Sequence, residues 1–544
     1  MSVWAGYFGD GDGGVLKRLL GSKAQMHISA GFGLGVSYTD GGSAKLTVDE
    51  AGGVTALVGI DDESGASASV NSVNKTLTLT RDPFGFHGAY TAQVGEVLWY
   101  ASDVRVLQRL PGISNRLNPA ALHGYLCFSY VPTPLTLISG VAALPAGARL
   151  MVTSKGERSC ENQAAWREFP PLALNEEEAI TELRKRLQTA VAQRVGAERE
   201  VGVLLSGGLD SSLIAALLVE LGVKVHLFAL DFGPPFDAEL PYAQQVAAHL
   251  GQSLNIVSAR PPQIRSTLTA TAAALEQPFG DGVTVPLYLL GQAAAKHVNL
   301  IFNGEGGDQL FGGWTNKPMV AAELYAGKDY DREAMYLNTF HRFYGFTNQF
   351  YTSYAQEAID KVDVGSWLRP ALEAKGFKNL LHRLRAANLW LKAAQNIVPR
   401  ATQLAAVHGL QVRAPFFDRA LTEWTFALSP QWFLHGACEK YLLKRAAEPY
   451  LPPEVVWREK RGMGVPTTEW CFKPLRRDVA HWLNRRGLKR DRWFKPKAVQ
   501  ALRRGKDRFG EVRHRRIGEK LWMLLMLHVW LDTQDRPLVW PTAL

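Results

Sequence analysis

Short runs of β-type hydrophobic residues, separated by glycine-rich turns, mark the first 147 residues of the chain. Such runs lie at residues 53–60, 76–80 and 97–101. This pattern of short hydrophobic runs and turns predicts layered β-structure. A polar bridge over residues 154–178, with Pro170, Pro171 and three successive glutamates, predicts a domain boundary. We therefore expect a first domain over residues 1–160 and a second over residues 175–544.

From residue 179 onward, helical and strand-like segments alternate. The strand-like runs lie at residues 201–205, 223–230, 254–257 and 298–302. The helical patterns between and around them cover residues 180–195, 213–221, 240–250 and 286–295. This alternation predicts an α/β fold with a parallel sheet covered by helices. Beyond residue 314 the pattern is nearly all helical.

Length and composition limit the class of protein. A chain of 544 residues with 47% hydrophobic and 21% charged residues is too long for one core, so we expect two or three domains. No secretory signal pattern and no membrane-length apolar stretch is visible, so we expect a cytoplasmic protein without a membrane span. The four cysteines form no CxxC pair, which favours reduced thiols over a zinc site or a disulfide framework.

The formal charge of +10 is concentrated near the C-terminus. Residues 440–540 hold 25 Lys and Arg against 11 Asp and Glu, and the rest of the chain is slightly acidic. Such a region can attract nucleic acid, a phosphorylated substrate or an acidic peptide. Solvated helical faces explain the same pattern equally well.

A serine- and glycine-rich turn joins a predicted strand directly to a predicted helix at residues 201–212, VGVLLSGGLDSS. Glycines let the backbone approach an anion, and the N–H groups of a helix N-terminus attract it. Hydroxyls of Ser206 and Ser211 would add donors, whereas Asp210 would repel a phosphate unless a Mg²⁺ lay between them. These residue types also form ordinary turns and helix caps, but the flanking strand and helix favour phosphate binding.

A second glycine-rich turn follows another predicted strand at residues 302–313, FNGEGGDQLFGG. In open α/β sheets ligands bind at the carboxyl ends of the strands, so the two turns can face one cleft. Asp308 could then complete a metal site with Asp210. Alone, the second turn is weak evidence for a ligand site. Together with the first turn it is strong evidence.

Both turns resemble motifs of a known family. SGGLDS at 206–211 is similar to the pyrophosphate-binding loop of the ATP pyrophosphatase superfamily. GEGGD at 304–308 and FGG at 311–313 resemble its asparagine synthetase branch. Further similar segments are RAPFFD at 413–418, EKYLLK at 439–444, LPP at 451–453, WREK at 457–460, and, in the N-terminal half, RDPFG at 81–85, WYAS at 99–102 and GVAALPAG at 140–147. The resemblance implies an amidotransferase-like β-rich (αββα) domain and an adenine-nucleotide α-hydrolase-like domain with a helical extension.

The resemblance also implies ATP and Mg²⁺ as cofactors, adenylation of a substrate carboxylate, release of pyrophosphate and displacement of AMP by an amine. Asp210 and Asp308 would hold the Mg²⁺. Lys460 matches the family lysine that stabilises charge, and Glu305 matches a glutamate that can orient or deprotonate the amine. The residues implied to contact the nucleotide and its pyrophosphate are Leu204, Ser206, Gly207, Gly208, Asp210, Ser211, Leu230 and Gly304.

The N-terminal domain departs from the glutamine-hydrolysing members of this family. Those members begin Met-Cys-Gly, whereas this chain begins Met1, Ser2, Val3, and a serine hydroxyl is a poorer nucleophile than a thiol at neutral pH. Within residues 1–160 no Asn-Gly-Glu motif of the kind that binds glutamine is found, and residues 58–62 stand about where it would be. We expect a degenerate amidotransferase-like scaffold, with a serine-type amidase at Ser2 as the alternative.

The substrate pocket is expected to differ as well. Thr402, Gln403 and Gln411 stand where family members commonly carry charged residues, so aspartate is not the expected substrate. Loss of the ammonia source together with a changed pocket resembles the β-lactam synthetases and lasso-peptide macrolactam synthetases of natural-product biosynthesis. We therefore expect a ligase acting on a small molecule or peptide that carries both a carboxylate and an amine. A lasso-type member would also imply a partner processing protease.

Three alternatives remain open. An asparagine synthetase-type amidation would use free ammonia, and a tRNA-modifying enzyme would use the same pyrophosphate loop. The tRNA hypothesis is disfavoured because no RNA-binding aromatic motif is apparent, so nucleic acid is not an expected partner. A non-catalytic scaffold is disfavoured because both aspartates, Glu305 and Lys460 are present.

Overall fold

The fold is described from a computed structural model of the chain. The structure describes residues 2–38, 44–59, 65–162, 166–313, 319–320, 331–340, 342–459, 464–505 and 514–541. Within these ranges no helix has the length and apolar character needed to cross a membrane. All four cysteines are described, and none of them forms a disulfide.

Two antiparallel six-stranded sheets form the N-terminal part of the molecule. The first has the order β10-β8-β9-β1-β3-β2 and the second β12-β11-β7-β6-β5-β4. The strands are β1 Val3–Phe8, β2 Gln25–Ser29, β3 Phe32–Ser37, β4 Ala44–Val48, β5 Val54–Val58, β6 Ala66–Asn71, β7 Thr76–Arg81, β8 Tyr90–Val94, β9 Val97–Ala101, β10 Val141–Ala143, β11 Ala148–Thr153 and β12 Arg158–Asn162. The connecting helices are α1 Gly13–Leu20, α2 Val104–Gln108 and α3 Pro119–Phe128.

The two sheets stack face to face because each strand alternates inward apolar and outward polar residues. Trp4, Leu34 and Val36 of the first sheet share a core with Leu77 and Leu79 of the second. The indole of Trp4 also donates a hydrogen bond of 2.8 Å across the sandwich to the Ala66 carbonyl. Helices α1 and α2 cover the outer face of the first sheet.

A five-stranded parallel sheet with the order β15-β14-β13-β16-β17 forms the centre of the C-terminal part. Its strands are β13 Glu200–Leu204, β14 Lys224–Asp231, β15 Leu254–Ser258, β16 Leu300–Phe302 and β17 Gln411–Arg413. The helices around it are α4 Glu176–Val195, α5 Leu209–Glu220, α6 Leu240–His249, α7 Pro261–Ala274, α8 Thr284–Ala294 and α9 Gly307–Phe311. From β13 the chain forms β14 and β15 on one side and then β16 and β17 on the other. The strand order therefore reverses between β13 and β16, which is the position where ligands bind in such sheets.

The remainder of the chain is mainly helical. The α-helices are Arg332–Phe340, Thr347–Phe350, Ser353–Ile359, Arg369–Leu372, Leu380–Ala387, Val398–Ala406, Arg419–Thr425, Tyr441–Ala447, Pro453–Val456, Thr467–Phe472, Arg476–Trp482, Arg485–Asp491, Pro496–Arg503 and His514–Asp532. A π-helix covers Asn388–Ile397, 3₁₀-helices cover Val364–Trp367 and Pro430–Trp432, and a small hairpin pairs β18 Leu434–His435 with β19 Cys438–Glu439. The helix His514–Asp532 is buried and packs against α7 and Thr467–Phe472.

The two parts of the molecule share a core. Phe84 and Phe86, which follow β7, are almost completely buried in the same apolar cluster as the residues of β13. The ring of Phe84 lies 5.3 Å from the ring of Phe417, which belongs to the RAPFFD segment. The RDPFG motif therefore anchors the N-terminal sandwich to the parallel-sheet part.

The α/β fold expected from the sequence is confirmed, with three local differences. Helix α5 begins at Leu209 rather than at residue 213, because it is buried on nearly all sides and shows no amphipathic period at its start. Strand β12 lies inside the predicted polar bridge as an edge strand whose residues are all exposed. Strand β17 was not predicted, because three residues paired to β16 carry almost no local signal.

Candidate active site

The turn after β13 is closed by the hydroxyls of its own two serines. Oγ of Ser211 accepts a hydrogen bond of 3.1 Å from the Ser206 backbone and lies 3.1 Å from Oγ of Ser206. Oγ of Ser206 in turn accepts from the Gly208 backbone at 3.2 Å. Within the described residues, no side chain makes a capping hydrogen bond at the start of α5. The loop is thus pre-shaped, and the first turn of α5 offers backbone N–H groups to an anion.

Gly207 lets this loop pack directly on α6. Its φ of +72° lies in the left-handed region. A Cβ placed there would lie 2.4 Å from the backbone nitrogen of Ala243. Because backbone atoms cannot move aside as a flexible side chain can, only glycine fits at this position.

The turn after β16 lies against the first loop. Oδ1 of Asn303 accepts a 3.1 Å hydrogen bond from the backbone of Glu305, which shapes the turn. A Cβ on Gly304 would lie 2.4 Å from the Ser211 nitrogen, so the two loops are in close contact. Helix α9 then begins at Gly307 and carries Asp308 in its first turn. The loops predicted to meet at one sheet edge do so.

Asp210 and Asp308 converge on a single buried cation, the ammonium of Lys440. Nζ of Lys440 lies 2.5 Å from Oδ2 of Asp210 and 2.5 Å from Oδ1 of Asp308. The Lys440 side chain is only 4% exposed. Burial alone would lower the pKa of Lys440, but the charges of Asp210 and Asp308 raise it above its ordinary value. Lys440 is therefore charged at all physiological pH values.

Lys440 was missed as a functional residue by sequence reasoning, although it stands inside the EKYLLK segment. It follows β19 in a left-handed conformation, with φ of 58°, and precedes the helix Tyr441–Ala447. This conformation is unusual for a residue with a Cβ and marks a functional or strained position. The lysine is 230 residues away from Asp210 in the chain, so no local pattern could link the two.

Arg458 also contacts the loop 206–211. Its guanidinium donates to the Gly207 carbonyl at 3.3 Å, lies 3.7 Å from Glu239 and stacks 4.1 Å from the ring centroid of Tyr242. The buried Lys444 donates to the Arg458 carbonyl at 3.4 Å. Motif segments 439–444 and 457–460 thus reach the same loop, and Arg458 and Glu459 line the cleft beside it.

These elements surround a cleft of about 790 Å³. Most of the site residues predicted from the sequence line it, and the structure brings them together: Leu204, Ser206, Gly208, Asp210, Ser211, Leu230, Gly304, Glu305 and Asp308. Gly207 lies behind the loop against α6. Lys460 falls outside the described residues.

The substrate-pocket prediction requires a correction. Thr402, Gln403 and Gln411 do not line the cleft. Their side chains form hydrogen bonds with other groups. Thr402 donates to the Val398 carbonyl at 3.0 Å, and Gln403 accepts from the Glu276 backbone at 3.0 Å. Oε1 of Gln411 accepts from Arg413 at 2.8 Å. The cleft is lined instead by Arg400 and Ala401, just before Thr402 on the same helix.

The donor set at Asp210 and Asp308 fits a hard divalent cation. Two carboxylates already meet at one positive charge, and Mg²⁺ is commonly held by one or two carboxylates plus substrate phosphates. Among the described residues, no group of three or more His, Cys, Asp or Glu side chains could hold a metal alone. A metal here would complete its coordination with phosphate oxygens or water.

The N-terminal Ser2 is buried at 5% exposure, directly before β1. The neighbouring Trp4 backbone donates to Oγ of Ser102 at 3.0 Å, which fixes the start of that strand. Of the segment 58–62, only residues 58 and 59 are described, and the rest lie outside the described ranges.

Comparisons with known proteins match both parts of the chain to known families. Residues 182–532 match the family model for asparagine synthase, and residues 66–164 match that for a glutamine amidotransferase domain. Asparagine synthetase (glutamine-hydrolyzing) 1 of Bacillus subtilis is 24% identical over 442 residues, or 76% of this chain and 68% of that protein. The Gallus gallus asparagine synthetase (glutamine-hydrolyzing) is 27% identical over 301 residues, or 53% of this chain and 44% of that protein. The NH3-dependent NAD synthetase structure from Campylobacter jejuni aligns with 26% of this chain and 62% of that chain, at 22% identity and a TM-score of 0.19.

A parallel sheet with two glycine-rich turns at its carboxyl edge, together with the asparagine synthase family match and the Bacillus subtilis relative, defines an ATP-dependent ligase that forms carbon–nitrogen bonds. The chain belongs to the asparagine synthase family.

Proposed function

We propose that this ligase adenylates a substrate carboxylate and couples it to an amine of the same substrate, without hydrolysing glutamine. The observation that supports the ATP-dependent part most directly is the meeting of Asp210 and Asp308 at one buried cation beside the loop 206–211. In this proposal residues 1–160 are a retained, degenerate amidotransferase-like scaffold. Residues 175–544 carry the synthetase activity.

The nucleotide would bind with its phosphates on the loop after β13. Backbone N–H groups at the start of α5 and the hydroxyls of Ser206 and Ser211 would hold the pyrophosphate portion. Leu204 and Leu230 would contact the nucleoside from the ends of β13 and β14, and Gly304 leaves room beside them. Asp210 and Asp308 would hold Mg²⁺, which supplies charge neutralisation for the phosphates. A bound triphosphate would add negative charge beside Asp210 and Asp308. Both the ammonium of Lys440 and a Mg²⁺ would then be balanced at this site.

In the first step, an oxygen of the substrate carboxylate attacks the α-phosphorus of ATP. The bond from that phosphorus to the pyrophosphate oxygen breaks, and pyrophosphate leaves with the electron pair. The buried ammonium of Lys440 would stabilise the negative charge that develops on this leaving group, and its burial would strengthen that interaction.

In the second step, the substrate amine attacks the acyl carbon and the bond to AMP breaks, which leaves an amide. The amine must lose a proton, and Glu305, which lines the cleft, would accept it. Lys460, from the segment that follows Arg458 and Glu459, would stabilise the charge on the adenylate as the bond breaks.

One feature of the chain supports an amine carried by the substrate. Ser2 replaces the family's N-terminal cysteine, so the usual thiol nucleophile for glutamine is lacking. When both reacting groups belong to one molecule, the second step gains the high effective concentration of an intramolecular reaction. A β-lactam-type or lasso-type macrolactam product would follow, and in the lasso case a processing protease would be a partner.

A second candidate function is amidation with free ammonia, in the manner of an asparagine synthetase. The 24% identity to an asparagine synthetase of Bacillus subtilis favours it, whereas the match of residues 66–164 to a glutamine amidotransferase domain favours glutamine as the source of the ammonia. Amide-¹⁵N-glutamine and ¹⁵N-ammonia, supplied in parallel reactions, separate the two functions by mass spectrometry. Our proposal expects no ¹⁵N in the product from either source and an unchanged rate for Ser2→Ala. Label from ammonia alone would support the second candidate, and label from glutamine lost in Ser2→Ala would support an amidase at Ser2.

Pyrophosphate release tests the ATP-dependent step itself. The wild-type chain, with ATP, Mg²⁺ and a panel of amino-carboxylates, is compared with Asp308→Asn, which removes charge but keeps shape. We expect loss of pyrophosphate release by about a hundredfold or more with an unchanged far-UV spectrum. The exposed Asp360→Asn is the matched control. Release by Asp308→Asn at the wild-type rate would contradict the assignment.

A further inference from the structure

Three short helices near the C-terminus present a positively charged surface outside the cleft. We call residues 474–505 the basic segment. It holds 11 Lys and Arg residues and two acidic residues, so it carries +9 of the chain's formal charge of +10. Its helices are Arg476–Trp482, Arg485–Asp491 and Pro496–Arg503. The structure describes the whole segment, and none of its residues lines the cleft.

The apolar sides of these helices hold the basic segment in place. Val479, Leu488 and Val499 are almost completely buried in the core that includes the helix His514–Asp532. The charged side chains therefore lie on the outer faces of anchored helices. Nine of the cations are exposed: Arg476, Arg477, Arg485, Arg486, Lys489, Arg490, Arg492, Lys497 and Arg504.

Most of this positive charge has no counter-ion. The two acidic residues of the segment are already paired, Asp478 with Arg265 at 2.9 Å and Asp491 with Arg490 at 3.4 Å. Of the nine exposed cations, the eight other than Arg490 form no ion pair with a described residue. Burial and the nearby charge of Arg504 both lower the pKa of Arg503 below its ordinary value. Such crowded like charges attract a polyanion.

The side chains of the basic segment favour a polypeptide over a membrane or a single strand of nucleic acid. None of the strongly exposed large hydrophobic side chains of the described chain lies in the segment, so it has no apolar anchor for a lipid surface. Trp493 and Phe494 are buried, which leaves the half-buried Trp482 as its one Trp, Tyr or Phe on which a base could stack. Carboxylates of an acidic polypeptide pair with guanidinium groups without either feature.

The basic segment begins close to the cleft. Gly464 lines the cleft, and the six-residue helix Thr467–Phe472 leads from there toward the segment. The ring of Phe232, another cleft residue, lies 6.0 Å from the ring of Trp470 on this helix. A depression of about 430 Å³ lies at the far end of the helix, and its lining includes Arg265, Phe472, Pro474, Arg476 and Arg477. A helix of this length spans about 9 Å, which about three residues of extended chain can cover.

We propose that the basic segment binds an acidic stretch of a polypeptide substrate, whose reacting end enters the cleft. This inference deepens the proposed function and rests on it, because it takes the cleft as the place of amide formation. The basic segment selects a polypeptide over a free small molecule. It also raises the effective concentration of the reacting end at the loops 206–211 and 304–308.

Binding of charge-matched probes to the full chain, without ATP, tests the surface. The probes are a labelled peptide of six Glu-Gly repeats with capped ends, the same peptide with Gln for Glu, and a labelled strand of seven thymidines whose six phosphates match the charge. Fluorescence anisotropy should show the Glu peptide bound more tightly than the strand and at least about tenfold more tightly than the Gln peptide, because several exposed ion pairs each add a small amount. The affinity for the Glu peptide should fall about tenfold between about 50 and about 300 mM salt.

Two fourfold variants locate the binding on the basic segment. The first changes four of its exposed arginines to Gln, at Arg476, Arg477, Arg485 and Arg486, and should reduce the preference for the Glu peptide to about threefold or less. The control removes the same charge from the N-terminal sandwich and should keep the wild-type preference. It changes four exposed lysines to Gln, at Lys17, Lys23, Lys45 and Lys155. A melting curve establishes that both variants are folded.

Crosslinking tests whether the bound peptide reaches the cleft. A benzophenone is attached to the Glu peptide through a spacer of four glycines, at the N-terminus in one version and at the C-terminus in the other. This spacer spans about 13 Å, more than the helix Thr467–Phe472. Mass spectrometry should place the crosslinks of at least one version on cleft-lining residues such as Phe232, Val283 or Leu287. Crosslinks of both versions that all lie outside the cleft would refute the proposal.

The other overturning results are distinct from a failure of the proposed function. A wild-type preference below about threefold, or the same loss of preference in both fourfold variants, would refute the docking surface. Tighter binding of the thymidine strand would assign the segment to nucleic acid, and sedimentation with phosphatidylserine vesicles that excess Glu peptide does not reverse would assign it to a membrane. Pyrophosphate release is measured separately. Selective peptide binding without any release would leave the docking surface in place and refute the ligase proposal, and release without selective binding would do the reverse.

Discussion

The ammonium of Lys440 lies 2.5 Å from a carboxylate oxygen of Asp210, although 230 residues separate the two in the chain. The same nitrogen contacts Asp308 at the same distance. Two acidic residues on neighbouring turns would repel each other in a buried cleft without a positive charge between them. Lys440 supplies that charge in this structure. A phosphate-bound cation would bind next to its ammonium, between the same two carboxylates.

Removal of this lysine should make the fold depend on a divalent ion. Lys440→Met leaves Asp210 and Asp308 facing each other without their counter-ion, and we expect a loss of about 3–5 kcal/mol of stability. Because Mg²⁺ can replace the missing charge, the melting temperature of the variant should rise with Mg²⁺ much more than that of the wild type. Differential scanning calorimetry with and without Mg²⁺ measures this. Lys473→Met, whose side chain is 73% exposed, is the control, and an equal Mg²⁺ response in all three chains would contradict the expectation.

Gly207 should tolerate alanine far less than a glycine with the same backbone conformation elsewhere. Gly207 and Gly222 have φ of +72° and +73°, but a Cβ on Gly222 meets no atom within 4 Å. Gly222→Ala should therefore cost only the left-handed strain, about 1–2 kcal/mol. Gly207→Ala adds a collision with the Ala243 backbone and should displace the loop, so that nucleotide affinity also falls. Urea unfolding and titration with a fluorescent ATP analogue measure both effects, and equal losses in the two variants would show that the loop contact is unimportant.

The free energy of unfolding should fall as pH rises, because the buried carboxyl group of Glu276, between the two parts of the molecule, must release its proton. Burial, with a contribution from Asp103, raises the pKa of Glu276 from 4.5 to about 8, although Arg105 acts in the opposite direction. The unfolded state releases this proton at lower pH than the folded state does, so the folded state loses stability as pH rises from about 5 to 8. Glu276→Gln should remove that slope in urea unfolding curves. The exposed Glu96→Gln serves as the control, and parallel slopes for Glu276→Gln and wild type would refute the assignment.

Lys460 should act on catalysis and not on binding. It follows Arg458 and Glu459, which line the cleft, and its role is inferred from the WREK segment. Lys460→Met should bind a non-hydrolysable ATP analogue within about twofold of the wild type but lose kcat by a factor on the order of a hundred or more. Rapid-quench measurement of pyrophosphate formation checks this, with Lys473→Met as the control. A loss of only about twofold in kcat would mean that another cation, such as Lys440, performs this role.

Much of the fold could be predicted because its signals are local. The parallel sheet follows from alternating strand and helix patterns, and the loops 206–211 and 304–308 are recognisable because each lies directly between a strand and a helix. Strand β17 could not be predicted, because its three residues become a strand only when they pair with β16.

The site was less predictable where it depends on distant residues. Lys440 stands in a recognised segment, but its contact with Asp210 and Asp308 depends on how the chain returns to the cleft. Thr402 and Gln403 were placed in the substrate pocket by position in the sequence, whereas their side chains bond to backbone groups and Arg400 lines the cleft.

The most direct test of the account is a crystal structure with Mn²⁺ and a non-hydrolysable ATP analogue, in which anomalous scattering locates the metal. We expect one Mn²⁺ peak at about 2 Å from a carboxylate oxygen of Asp210, from one of Asp308 and from phosphate oxygens on the loop 206–211. A metal bound to the phosphates with neither aspartate as its ligand, or a nucleotide bound away from this loop, would contradict the central claim.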